Sequence, residues 1–153
     1  MAEESLFVRL GGEVGIACVL DRHYERVMED DHLREYFLDA DVGRLKTAQL
    51  AFLGAVFGEP GASYDGAALR AAHRDQLVSE LAFDSFIDRL IATAAEFGAG
   101  AADQGVMREV LNQFRDSVIM RFKPNRPSIT RRSRSNRRFG QNSSRLSRNS
   151  AWL

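Results

Sequence analysis

Leu69-Arg70-Ala71-Ala72-His73-Arg74-Asp75-Gln76-Leu77 is the stretch on which the fold of this chain turns. Taken as helix, it sets Leu69, Ala72, His73, Gln76 and Leu77 on one face by the i, i+3, i+4 rule. An imidazole on an apolar face is ordinarily a core residue whose polar atoms find backbone partners. A ligand role for His73 requires polar groups on the inward faces of other helices, so the neighbouring segments decide the matter.

Upstream, Asp41 is placed to cap a helix with the inward stripe Leu45, Ala48, Gln49, Phe52, Leu53 and Val56. Gln49 is a polar interruption in that stripe. Further upstream, Ile16, Val19, Leu20, Tyr24, Val27 and Met28 form a second stripe, with His23 beside Tyr24 about 100° round the helix. Ser5 can cap a short helix through Leu10 that Gly11-Gly12 stops. Glu29-Asp30-Asp31 ends the Tyr24 stripe, His32 falls near that turn, and Tyr36 and Phe37 follow as adjacent aromatics. Turn residues make 58–66 a loop. Beyond the His73 stretch, Ser79 can cap a long amphipathic helix of Phe83, Phe86, Ile87, Leu90, Ile91, Ala94 and Phe97 that ends at Gly98. A last helix carries Val106, Val110, Leu111, Phe114 and Val118 and ends before Pro124. With no strand alternation and no repeat, the expected fold class is all-α.

At 153 residues the chain suits one domain with a true core. No run approaches the roughly 18 apolar residues of a membrane helix, and Met1-Ala2-Glu3-Glu4-Ser5 lacks the layout of a secretory signal. The single cysteine excludes an internal disulfide framework; Cys18 reads as a small buried hydrophobe, and the expected location is cytoplasmic. The 21 basic and 21 acidic residues are unevenly placed. Ten basic residues and no acid lie from Arg121 onward, leaving 11 basic residues against all 21 acids in residues 1–120. This break predicts a helical domain over 1–123 and a disordered Arg/Ser-rich tail over 124–153, too charged and too poor in apolar residues to offset the entropy of ordering. Such a tail can engage nucleic acid or an anionic membrane face.

Tyr24, Gln49 and His73 thus lie on the inward stripes of three different helices. An unpaired buried donor or acceptor costs about 1–3 kcal/mol, so the three require partners. They can pair with one another or with backbone, or they can face a buried cofactor, the imidazole as ligand and the other two hydrogen-bonding on its far side.

Residues 5–120 resemble a truncated, two-on-two haemoglobin, most closely its first group. Leu6-Phe7-Val8-Arg9-Leu10-Gly11-Gly12 is similar to the opening helix and glycine corner, His23-Tyr24 to the distal tyrosine, and Tyr36-Phe37 to the phenylalanine on the haem. Arg44-Leu45-Lys46-Thr47-Ala48-Gln49 is similar to the distal helix with its ligand-binding glutamine. Phe57-Gly58-Glu59-Pro60 and Tyr64-Asp65-Gly66 are similar to the loop before the proximal histidine, here His73. The chain departs from the pattern at Phe7, where tyrosine is usual, at Phe86, where the first group has a small aliphatic residue, and at Gln76, where a basic residue follows the histidine. Leu53 stands where some members have a gating phenylalanine.

The resemblance implies a two-on-two helical sandwich holding haem b, with His73 on a five-coordinate iron. It implies that Tyr24 and Gln49 hydrogen-bond O2, favouring O2 over CO, and that His23 and His32 are not second ligands. Phe37, Leu45, Phe52, Leu53, Leu69, Leu77 and Phe86 are the implied haem box. Lys46, with Arg44, Arg70 and Arg74, is a candidate for the propionates. Two uses follow: binding, carriage or sensing of O2, and dioxygenation of nitric oxide to nitrate with a separate reductase as electron donor. The residues alone also leave open a haem-free helical domain for interactions, with the basic tail as its working part.

Overall fold

The computed structural model describes residues 3–64, 69, 70, 73 and 78–119. Local chemistry sets most helix starts. The Ser5 hydroxyl accepts from the Val8 amide at the head of α1 (Leu6–Arg9). Gly11 then turns the chain with φ +93°, a left-handed conformation that favours glycine, and α2 (Gly12–Glu29) begins at once. The two helices meet so tightly that a Cβ on Gly15 would stand 2.1 Å from the Leu10 carbonyl oxygen. Asp30 caps α3 (Asp31–Arg34), accepting from the amides of His32 at 2.8 Å and Leu33 at 3.2 Å, and pairs with Arg89 across the fold. A 3-10 turn (Glu35–Phe37) follows. Asp41 accepts from the Arg44 amide at 3.2 Å to open α4 (Val42–Val56), and Ser79 from the Ala82 amide at 3.0 Å to open α5 (Glu80–Glu96).

The described elements are all helical. α2 packs against both α4 and α5, and α5 packs against α6 (Ala101–Asn112). Two helix pairs therefore enclose one core, in which Leu20, Val27, Leu33, Phe83, Phe86, Leu90 and Leu111 are buried. No helix among the described residues is long and apolar enough to cross a membrane. The tail expected over 124–153 lies outside the described residues.

Four expectations are corrected. The last helix is two: α6 stops at Asn112 and α7 (Arg115–Val118) follows. Between them the Gln113 and Phe114 amides bond back three residues, to Val110 and Leu111, which tightens the turn and breaks the register. Met107 and Leu111 form the buried row of α6, while Val106 is 38 % exposed at its margin. Cys18 is exposed, because it shares the outward face of α2 with Val14 and Arg22, one turn to either side. Ala48 is exposed beside Thr47, since the face of α4 turned to the core centres on Leu45, Gln49, Phe52 and Leu53. Phe97 lies past the last turn of α5 and is 54 % exposed.

The Gly15 approach is to backbone, which cannot swing aside as a side-chain end can. Gly15→Ala is expected to lower unfolding free energy by about 1–3 kcal/mol in a urea titration. Gly105→Ala, on an exposed helical position with open space around it, is expected to hold stability level or raise it.

Candidate functional site

Tyr24 projects from α2 and Gln49 from α4, both fully enclosed, and their helices pack together. The Tyr24 hydroxyl and both polar atoms of the Gln49 amide are buried and find no hydrogen-bond partner among the described residues. Of the pairings left open by the sequence, His73 takes a backbone partner, whereas among the described residues Tyr24 and Gln49 pair neither with each other nor with backbone. Burial pushes the Tyr24 phenol up, so it is a neutral O–H donor at any ordinary pH.

Aromatic rings surround the hydroxyl-bearing ring. Phe37 meets it edge-on at 5.9 Å and Phe86 at 6.2 Å, and these two stack on each other at 6.1 Å and 22°. Leu45, Phe52 and Leu53 of α4 and Leu69 are buried as well. Phe52 packs edge-to-face on Phe114 at 5.1 Å and on Tyr64 at 4.6 Å, which ties α4 to the chain after α6. Lys46 is half-buried with its Nζ 3.0 Å from Asp21, while Arg44 and Arg70 are exposed. Leu77, Arg74 and Gln76 lie outside the described residues.

His73 is helical and buried, and its Nδ1 lies 2.9 Å from the Leu69 carbonyl oxygen one turn back. A carbonyl only accepts, so the bond requires the proton on Nδ1 and leaves the lone pair on Nε2. Burial lowers the imidazole's proton affinity, against which the Leu69 bond works, so the ring is neutral near pH 7. A neutral imidazole oriented through Nδ1 is the form that binds a metal. Among the described residues no three His, Cys, Asp or Glu side chains gather as a metal cluster. A metal at His73 would then draw its remaining ligands from a cofactor.

His23, like Thr93, is a buried polar residue to which sequence reasoning gave no role. It is fully enclosed, and neither ring nitrogen has a hydrogen-bond partner among the described residues. The signal was present: Val19, Leu20 and Val27, one turn to either side, are all core residues. Burial, with the nearby positive charges of Arg89 and Arg26, drives its pKa down to about 3. His32 is exposed beside the turn.

This depression ties stability to pH. The unfolded chain takes up a proton at residue 23 as pH falls through about 6.5, and the folded chain does not until about 3. The stability held above pH 6.5 is thus lost by roughly 1.4 kcal/mol per pH unit across that window. Urea titrations from pH 7 to 4 are expected to show the difference between wild type and His23→Phe moving with that slope; a constant difference would exclude a buried neutral imidazole.

Comparison with known proteins bears on the whole domain. The family model described as bacterial-like globin matches residues 5–120. The group 1 truncated haemoglobin GlbN of Synechocystis sp. is 32 % identical over 123 residues, covering 71 % of this chain and 98 % of the relative. The crystal structure of the truncated haemoglobin of Tetrahymena pyriformis, in its Fe(III) form, superposes with a TM-score of 0.71 at 25 % identity, over 77 % of this chain and all of that one. The 2/2 haemoglobin of Synechococcus sp. PCC 7002, in a cyanomet state with covalently attached haem, gives the same TM-score at 23 % identity, over 77 % of this chain and all of its own.

Proposed function

The chain belongs to the bacterial-like globins, as a group 1 truncated haemoglobin, and on that premise we propose that it binds haem b through His73 and takes O2 beside Tyr24 and Gln49. The observation that carries this reading is the pair of orphaned groups, a tyrosine hydroxyl and a glutamine amide enclosed on helices that pack together. Most buried polar groups in protein cores have a partner, so two such groups on neighbouring helices point to a ligand. The donor set fits the cofactor: one neutral imidazole, two hydrogen-bond donors and a lining of aromatic and aliphatic side chains.

Haem, when bound, supplies an iron atom that takes a diatomic gas and exchanges an electron. The Leu69 carbonyl holds the His73 ring in the tautomer that presents Nε2. The Tyr24 hydroxyl and Gln49 Nε2 direct N–H and O–H dipoles at the partial negative charge of the gaseous ligand, where low dielectric strengthens them. Phe37, Leu45, Phe52, Leu53, Leu69 and Phe86 exclude water, and Leu77 completes the box in this proposal. Arg44, exposed at the head of α4, is the cation for a haem propionate, with Lys46, paired to Asp21, beside it. The globin domain is assigned to residues 1–123. The basic residues from Arg121 onward suit a polyanion, nucleic acid or an anionic membrane face, bound more weakly as salt rises.

A tight polar O2 site also serves nitric oxide dioxygenation, in which O2 converts nitric oxide to nitrate and one electron from a separate reductase restores the ferrous iron.

Absorption spectra of the ferric, ferrous and O2-bound forms are expected to show a haem band that His73→Ala abolishes or displaces. Tyr24→Phe is expected to speed O2 release by about 5- to 150-fold, the worth of a buried hydrogen bond of about 1–3 kcal/mol. A protein with no Soret band after haem addition would instead be the haem-free interaction domain.

Rapid mixing of the oxygenated protein with nitric oxide is expected to give the ferric form and nitrate in equal amounts. Slow or incomplete conversion would leave O2 binding as the function and remove the dioxygenase.

A further inference from the structure

His23 is the buried ionisable side chain for which the gas pocket has no use. Enclosing an imidazole with neither nitrogen partnered among the described residues is costly, and phenylalanine would fill the same space without that loss. The rest of the α2–α5 crossing does not satisfy it. Arg26 donates to the Thr93 hydroxyl at 3.1 Å and pairs with Glu96, Thr93 donates to the Arg89 carbonyl at 2.7 Å, and Arg89 pairs with Asp30. Those groups serve one another along the outer side of the crossing.

What His23 does touch is the aromatic lining. Its ring stands perpendicular to Phe86, at 89° and 4.5 Å, and edge-on to Tyr24 at 5.3 Å. Phe86 in turn meets Tyr24 and stacks on Phe37, and Tyr24 meets Phe37 as well, so the four rings form one cluster in which His23 touches both Tyr24 and Phe86. Perpendicular ring pairs are directional, because the positive edge of one faces the negative face of the other, and an imidazole N–H sharpens the edge. Burial, with the positive charges of Arg89 on α5 and Arg26 on α2 adding to it, keeps the imidazole neutral and so keeps one N–H and one lone pair on it.

We propose that His23 is a positioning residue of the gas pocket, holding Phe86 edge-to-face and thereby fixing the ring against which the Tyr24 hydroxyl is aimed at the ligand. This rests on the haem and O2 reading above. It goes beyond that reading by giving His23, through its contact with Phe86, control over how the Tyr24 hydrogen bond is directed.

The test uses the full-length holoprotein with His23→Phe, which keeps the shape, and His23→Gln, which keeps a planar N–H donor. His23→Phe is expected to fold, to shift the C–O stretching frequency of the carbon monoxide complex toward that of Tyr24→Phe, and to release O2 about two- to fivefold faster. His23→Gln is expected to move both back toward wild type. An unchanged stretch and release rate in His23→Phe, with altered stability alone, would reduce His23 to a core residue and overturn the proposal. Nitrogen-15 NMR of the haem-free protein is independent of the ligand. The His23 N–H resonance is expected upfield, shielded by Phe86, and to lose that shielding in Phe86→Leu. No shielding would overturn the contact. Failure of the wild type to take up haem, with the shielded resonance present, would overturn the gas-pocket reading and leave the ring contact standing.

Discussion

A buried hydroxyl and a buried amide without partners are what the rest of this structure is arranged around. Tyr24 and Gln49 together hold three atoms without a hydrogen-bond partner among the described residues, in a core that is mainly aromatic and aliphatic. At about 1–3 kcal/mol each, their combined cost is a sizeable fraction of the 5–15 kcal/mol by which a domain is usually stable. The surrounding packing must therefore hold α2 against α4 without help from the groups at the centre. Phe37 and Phe86 on one side and Phe52 with Phe114 on the other supply that packing, and α1 is fitted to α2 through the absence of a Cβ at Gly15.

The features legible in the sequence were those governed by neighbours along the chain. A side-chain oxygen reaching an amide two or three residues on depends on local dihedrals alone, so Ser5, Asp41 and Ser79 marked helix starts correctly. The inward positions of Tyr24, Gln49 and His73 were legible because each sits at helical spacing among strongly apolar residues. Cys18, Ala48 and Val106 were misjudged for one shared reason: an apolar or small residue at the edge of a stripe is inward or outward according to how the partner helix crosses, which periodicity does not encode. The break after Asn112 likewise depends on Phe114 packing against Phe52 more than sixty residues away.

The role of His73 shows where sequence reasoning stops and geometry begins. Spacing placed an imidazole on a buried face, and a satisfied core histidine has the same spacing. The Leu69 carbonyl adds the missing detail, since a bond through Nδ1 satisfies one nitrogen with backbone and gives the other the lone pair. His23 has no such backbone bond. Two buried histidines in one domain thus differ in kind, one oriented by a carbonyl and one held by an aromatic face.

Burial lowers the proton affinity of both rings, and at His23 the positive charges of Arg89 and Arg26 add to it. Arg26 and Arg89 close the α2–α5 crossing near His23, and their ion pairs with Glu96 and Asp30 keep both guanidinium groups fixed at the rim. Burial disfavours a third positive charge beneath them and their field adds to that, so His23 stays neutral. The rim ion pairs are themselves partly exposed and contribute little directly to stability. Their guanidinium charges add to burial in making protonation of the imidazole below them unfavourable. The ring that Phe86 meets at His23 is therefore an uncharged one.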